Sequence, residues 1–204
     1  MSYKAIVDHY ENCYKQHGDS HLGVDWPDKT DADTRYRIMT EGVEYCGGDS
    51  ILDFGCGKGT LYTKDFNTIT NYINQPVHKH WNLDSYTLYD AGYKKHSKYP
   101  TGIYDAVICT DVIEHIWKDD LYWFTKELCS FAKKLVFINV ACYAAKKTFT
   151  DGTNVHVSVY PPPDWVNFFQ TIKEEFPLLD FYIVTQHQEM KTNGILLRKK
   201  KKGN

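Results

Sequence analysis

At 204 residues the chain is long enough for one domain with a full core, and its 42% hydrophobic and 25% charged residues are ordinary globular values. A net charge of −2 gives no overall pull towards nucleic acid or membrane. No apolar run approaches the length of a membrane-spanning helix, which argues against a transmembrane segment. Met1 to Lys4 open a polar segment rather than a signal peptide, and the six cysteines form no Cys-x-x-Cys pair, so a reduced, cytoplasmic protein is expected.

In chain order, Ile6, Tyr10 and Cys13-Tyr14 recur at helical spacing and predict an amphipathic helix that ends at His17 to Ser20. Gly23 to Pro27 is a loop. Asp31-Ala32-Asp33 starts a second helix, its acids favourable to the dipole, which carries Tyr36, Ile38-Met39 and Val43 and stops at Gly47-Gly48. Ile51, Leu52 and Phe54 form the apolar run of a strand buried on both faces. It breaks at Gly55, where Gly55, Gly57 and Gly59 alternate with Cys56 and Lys58, and a helix is expected from near Thr60. Residues 67–82 are polar and irregular and read as an insertion. His78 and His80 lie there without an acid or cysteine ligand nearby, so they read as surface residues.

Tyr86 to Tyr89 form the second strand, ending in Asp90; Asp84 comes too early to sit at its carboxyl end. Residues 91–103 leave room for a short helix and little more. Tyr104 to Thr110 form a buried strand, and the helix-like start after it places Asp111, Glu114 and His115 at relative positions 0, 3 and 4, on one helical face. Leu121, Phe124, Leu128 and Phe131 share a face of the next helix, and Leu135 to Val140 form another buried strand. Residues 141–163 are a long loop, of the kind that is often functional. Asp164 and Trp165 open a helix running to about Phe176. Leu179 to Thr185 and Gly194 to Leu197 read as a closing pair of strands. Arg198 to Lys202 form a basic run, read as a solvated tail or a contact for an anionic partner.

A buried strand, a glycine turn and a helix start are how α/β folds bind nucleotide-like molecules. Thr60 stands where the dinucleotide fingerprint G-x-G-x-x-G wants its third glycine, and Lys58-Gly59 does not supply the phosphate-cradling G-x-x-x-x-G-K-[ST].

Leu52-Asp53-Phe54-Gly55-Cys56-Gly57-Lys58-Gly59 closely resembles the first motif of class I S-adenosylmethionine (SAM) dependent methyltransferases. Tyr104 to Ile116 resembles the fourth-strand segment of the same enzymes, with its D-x-x-E-H ending. The resemblance implies an α/β, Rossmann-like, mostly parallel sheet of seven strands or a reduced set, flanked by helices, with an antiparallel last strand. It implies a single domain: a helical N-terminal lid over 1–47, a core over 48–198 and a basic tail over 199–204. The implied SAM-binding set is Asp53, Gly55, Cys56, Gly57, Gly59, Asp90, Thr110, Asp111 and Arg35. In it Asp90 meets the ribose hydroxyls and Arg35 the methionine carboxylate, with Trp26 as part of the lid. The short 91–103 segment departs from the family pattern, because relatives place there a third strand and an acid that reads the adenine amino group.

Small-RNA 3′-terminal 2′-O-methyltransferases and some ubiquinone-pathway O-methyltransferases look similar after the fourth strand and hold a divalent cation there. The matching residues are Asp111, Glu114, His115 and His156. The other reading has His115 capping a helix or ordering the SAM site, and His156 contacting the acceptor. Glu114, His115 and His156 are accordingly the catalytic candidates, as side chains or through a metal that lowers the acceptor's pKa. No Asp-Pro-Pro-Tyr-like element follows the fourth strand and no Pro-Cys nucleophile is present, which argues against DNA-base methylation. The expected activity is methyl transfer from SAM to an oxygen or nitrogen of a small molecule, saccharide or nucleotide. Trp165, Phe168, Phe169, Tyr143 and Tyr160 line an acceptor pocket or belong to the core. The rival readings are a catalytically silent SAM-binding partner subunit and a nicotinamide-dependent oxidoreductase.

Overall fold

The computed structural model describes residues 3–18, 29–46, 49–68, 71–187 and 192–198. Trp26 and the tail from residue 199 lie outside them. Two helices come first, α1 (Tyr3–His17) and α2 (Lys29–Cys46), where helical periodicity predicts them. Among the described residues the main sheet then has six strands. In chain order they are β1 (Ser50–Phe54), β4 (Ser85–Tyr89), β5 (Tyr104–Thr110), β6 (Ala132–Ala141), β7 (Asp180–Gln186) and β8 (Thr192–Leu197). Their spatial order is β4-β1-β5-β6-β7-β8, all neighbours parallel except the antiparallel β7-β8 pair at the edge. The sheet is therefore of the doubly wound, Rossmann-like kind, with six strands against the seven of a full set.

The central strands read as continuous apolar runs because both of their faces are covered. Leu52, Phe54, Val107, Cys109, Val136 and Ile138 face one layer, where α4 (Leu121–Phe131) and α5 (Pro162–Glu175) pack with Phe124, Leu128, Trp165 and Phe169. Ile51, Ala106, Ile108, Leu135 and Phe137 face the other layer, where Ile38 and Met39 of α2 lie. This alternation settles the role of two aromatic candidates. Trp165 and Phe169, four residues apart on α5, are fully buried core against the sheet. Pro162 at the first turn of α5 starts that helix, its missing N–H costing nothing there.

The helix expected from Thr60 is a single 3₁₀ turn, Thr60–Tyr62. Tyr62 turns inward and buries its ring with Phe66 and Val77, which ends the helical run. The insertion forms a small hairpin, β2 (Phe66–Asn67) with β3 (Tyr72–Ile73), and a one-turn helix α3 (Val77–His80). His78 packs on Tyr86 and His80 on Phe66, both as ring contacts. Residues 91–103 hold only a 3₁₀ turn, Lys94–His96, so β4 is left as an edge strand. Among the described residues no helix is long and apolar enough to cross a membrane, and Cys13, Cys56, Cys109, Cys129 and Cys142 are free.

The chain leaves β1, crosses to β4 on one side, then returns to β5 on the other. Order reversal at β1 opens a crevice beyond the carboxyl ends of β1, β4 and β5.

Candidate active site

That crevice is a cleft of about 440 Å³, within the ~300–1,000 Å³ usual for small-molecule sites. Its floor is the glycine turn. Gly55 has φ +89° and Gly59 +62°, and a Cβ on them would stand 2.2 Å from Val112 Cγ2 and 2.5 Å from Leu88 Cδ1. Only glycine gives the turn both this backbone and this close approach. The turn hangs on β4 through Gly55 N–H and Cys56 N–H, which donate to the Tyr89 carbonyl at 2.7 and 3.1 Å.

Asp90 follows β4 and faces the same turn. Its Oδ2 accepts from Gly57 N–H at 2.8 Å and its Oδ1 from Gly92 N–H at 2.9 Å. Burial raises its pKa, and the backbone N–H groups of Gly57, Gly92 and Tyr93 pull it back. A carboxylate offers about four acceptor positions, so at least one remains for a ligand's hydroxyl. Asp53, under the turn, has an Oδ1 with no hydrogen-bond partner. Burial pushes its carboxyl up to about 7, with Tyr62 pulling down and the Asp90 charge pushing further up. Burial raises the pKa of the Cys56 thiol, which favours its protonated form.

Helix α1 roofs the cleft with Ile6, Val7, Tyr10 and Tyr14. Three of these, at spacing four, form one inward stripe. The Lys58 ammonium lies 5.2 Å over the Tyr14 ring. The Tyr10 hydroxyl stands 3.0 Å from His115 Nε2. That long-range contact is a functional feature sequence reasoning missed; the helical stripe was its one available signal.

Beyond β5 the helical face expected for Asp111, Glu114 and His115 does not form. Asp111 is left-handed, with φ +54°, and a single 3₁₀ turn, Ile113–His115, follows it. One left-handed residue breaks the helical phase, so Asp111 parts from the other two. Its Oδ2 pairs with Arg35 Nε at 2.6 Å and its Oδ1 accepts from Gln186 Nε2 at 2.9 Å. Glu114 and His115 instead meet His156, one ligand-type atom from each lying within 4.8 Å of the others. His115 Nδ1 donates to the Val155 carbonyl at 2.8 Å and His156 Nδ1 to the Tyr143 carbonyl at 2.7 Å. A carbonyl only accepts, so each Nδ1 carries the hydrogen and each Nε2 keeps its lone pair. Glu114 Oε1 accepts from Ala141 N–H at 3.2 Å, while its Oε2 is buried without a partner.

Burial lifts the Glu114 carboxyl to about 8, helped by the Asp111 charge. Burial also drops His115 to about 3, with His156 adding to it, and lowers His156. Burial thus favours the protonated form of the Glu114 carboxyl and the neutral form of both imidazoles. Two ligands at about 2.1 Å from one ion stand at most about 4 Å apart, so a cation needs a small contraction of the three.

Of the predicted set, Asp53, Gly55, Cys56, Gly57, Gly59, Asp90, Thr110 and His115 line the cleft. Arg35 and Asp111 are not among its lining residues and are engaged with each other. Among the described residues Glu114, His115 and His156 form the one three-residue group with metal-ligand chemistry. Compared with protein-family models, with curated proteins and with solved structures, the chain matches none.

Proposed function

We propose that the protein is a SAM-dependent methyltransferase acting on an oxygen or nitrogen acceptor. The observation that carries this reading is the Asp90 carboxylate, held by Gly57 and Gly92 beside the glycine turn in a cleft that extends to His115. Asp90 has acceptor capacity left for a ribose hydroxyl, and the glycine turn lets a ligand approach the backbone. The unpartnered Asp53 oxygen suits a cationic group. In this reading the six-stranded sheet is a reduced form of the seven-stranded one. Helices α1 and α2 serve as the lid, and the setting is cytoplasmic, in keeping with the free thiols.

SAM supplies a methyl group on a sulfonium that leaves by in-line displacement. The chain's part is to position the acceptor and take its proton. His156, neutral with its Nε2 lone pair free of hydrogen, is equipped for that proton, while His115 Nε2 faces the Tyr10 hydroxyl. A second reading has Glu114, His115 and His156 hold a divalent cation. It is favoured by the two carbonyl-anchored imidazoles, an arrangement that orients metal-binding histidines, and by the partnerless Glu114 oxygen.

Calorimetry tests the donor: SAM and S-adenosylhomocysteine bind the purified chain, and Gly57→Arg abolishes the binding. Absence of any heat with the parent protein refutes the proposal. NADH that binds instead, seen by fluorescence, supports the oxidoreductase. Binding without radiolabelled methyl transfer into any lysate fraction supports a silent partner subunit. Methyl transfer lost in EDTA and restored by Mg²⁺ or Mn²⁺ supports the cation, and turnover unchanged in EDTA rules it out.

A further inference from the structure

The resemblance would enlist Asp111 as a ligand and Arg35 as a carboxylate receptor, but their side chains are already committed. Arg35 is 5% exposed, and beyond its 2.6 Å bond to Asp111 its Nη2 reaches Gln186 Oε1 at 3.5 Å. Gln186 returns its Nε2 to Asp111 Oδ1 at 2.9 Å and receives the Tyr143 hydroxyl at 3.4 Å. Asn139 Nδ2 approaches both Asp111 oxygens at 3.5 Å, and its carbonyl accepts from Asp111 N–H at 3.0 Å. The carboxylate thus ties together α2, β6, β7 and the end of β5.

What this junction fixes is the turn after β5. A left-handed backbone is costly for a residue with a Cβ, and Asp and Asn bear it best. From Asp111 the chain turns so that Val112 packs against Gly55, where a Cβ would be only 2.2 Å away. Ile113–His115 then delivers Glu114 to Ala141 N–H and His115 to the Val155 carbonyl. Neither Arg35 nor Asp111 belongs to the Glu114–His115–His156 group. A buried ion pair contributes little net stability, and its best-attested use is to specify one geometry.

We propose that Arg35 and Asp111, joined by Gln186, are positioning residues whose buried pair holds the turn after β5 in the conformation that brings Glu114 and His115 to His156. The inference rests on the methyltransferase reading only in treating those three residues as the reacting group, and its test is independent of SAM.

Three variants of the full chain separate positioning from ligation: Asp111→Asn, Asp111→Ala and Gln186→Met. Asn keeps the left-handed turn and a side-chain acceptor. Ala removes the acceptor, and Met removes the Gln186 bond with no change of charge. Two readouts are made on each: long-range ¹H–¹⁵N correlations of the His115 and His156 imidazoles without metal, and Co²⁺ titration followed by visible absorption.

The parent shows both imidazoles with hydrogen on Nδ1, and Asp111→Asn, with one acceptor oxygen for the Arg35 and Gln186 donors and no charge, falls between the parent and Asp111→Ala. In Asp111→Ala and Gln186→Met the His115 signals move towards a tautomer average, and Co²⁺ affinity falls roughly 10–100-fold, as when an orienting partner is lost. If Asp111→Ala does not fold, Gln186→Met carries the test. The proposal is overturned if Asp111→Asn and Asp111→Ala lower Co²⁺ affinity while the imidazole signals stay in place, since Asp111 then acts as a ligand. It is equally overturned if Gln186→Met, or a folded Asp111→Ala, leaves the imidazole signals in place. A parent chain that takes up no Co²⁺ removes the cation reading alone, and the imidazole signals still decide.

Discussion

Replacing Asp53 by Asn should make the protein more stable, by an amount that grows with pH. Asp53 is 4% exposed, its Oδ1 has no partner, and burial holds its carboxyl at about 7 in place of 3.8. The folded-state pKa is raised, so the stability this group contributes is fully present below about pH 4. It is lost as pH rises towards 7, because the unfolded chain has already released a proton that the fold retains. The interval from 3.8 to about 7 is worth about 1.4 kcal/mol per pH unit, hence about 4 kcal/mol in all. Asn is neutral at every pH and close in shape, so the other buried groups cancel between variant and parent. Urea melts at pH 5, 6, 7 and 8 should show the variant gaining on the parent through this window and the gap levelling above it. A gap that is flat with pH, or that closes as pH rises, would refute the assignment of a protonated, desolvated Asp53.

Gly55→Ala should lose S-adenosylhomocysteine binding or fold cooperativity, because φ +89° and a 2.2 Å approach to Val112 Cγ2 act together. Adding Val112→Ala relieves the clash but not the backbone, so thermal melts of the double variant should recover only part of the loss; full recovery would show that φ is not constraining. Asp90→Asn keeps one acceptor oxygen for two N–H donors and gives up the charge, so calorimetry should show binding weakened by about tenfold or more, at about 1.5–3 kcal/mol per charged hydrogen bond. Unchanged affinity would take Asp90 out of the ligand site.

The sequence made the sheet legible where burial leaves a one-dimensional trace. Val107, Ile108 and Cys109, like Val136, Phe137 and Ile138, are apolar without interruption because helices cover both faces of β5 and β6. Leu121, Phe124 and Leu128 repeat with the helical period because one side of α4 rests on that sheet. The three glycines announced a turn that no other residue type can make. What periodicity could not convey is the point where the period stops. Thr60 looked like a helix start, yet the turn ends once Tyr62 finds a buried partner in Val77, fifteen positions on. Asp111, Glu114 and His115 share a face only if every residue between them is helical, and the first of them is left-handed. Arg35 and Asp111 stand 76 positions apart, so their pairing is a property of the packed layers and leaves no local mark. The candidate site was therefore readable as a list of residues. Its division into a cleft at the glycine turn, the Glu114–His115–His156 group and a buried junction beside it follows the backbone angle at Asp111.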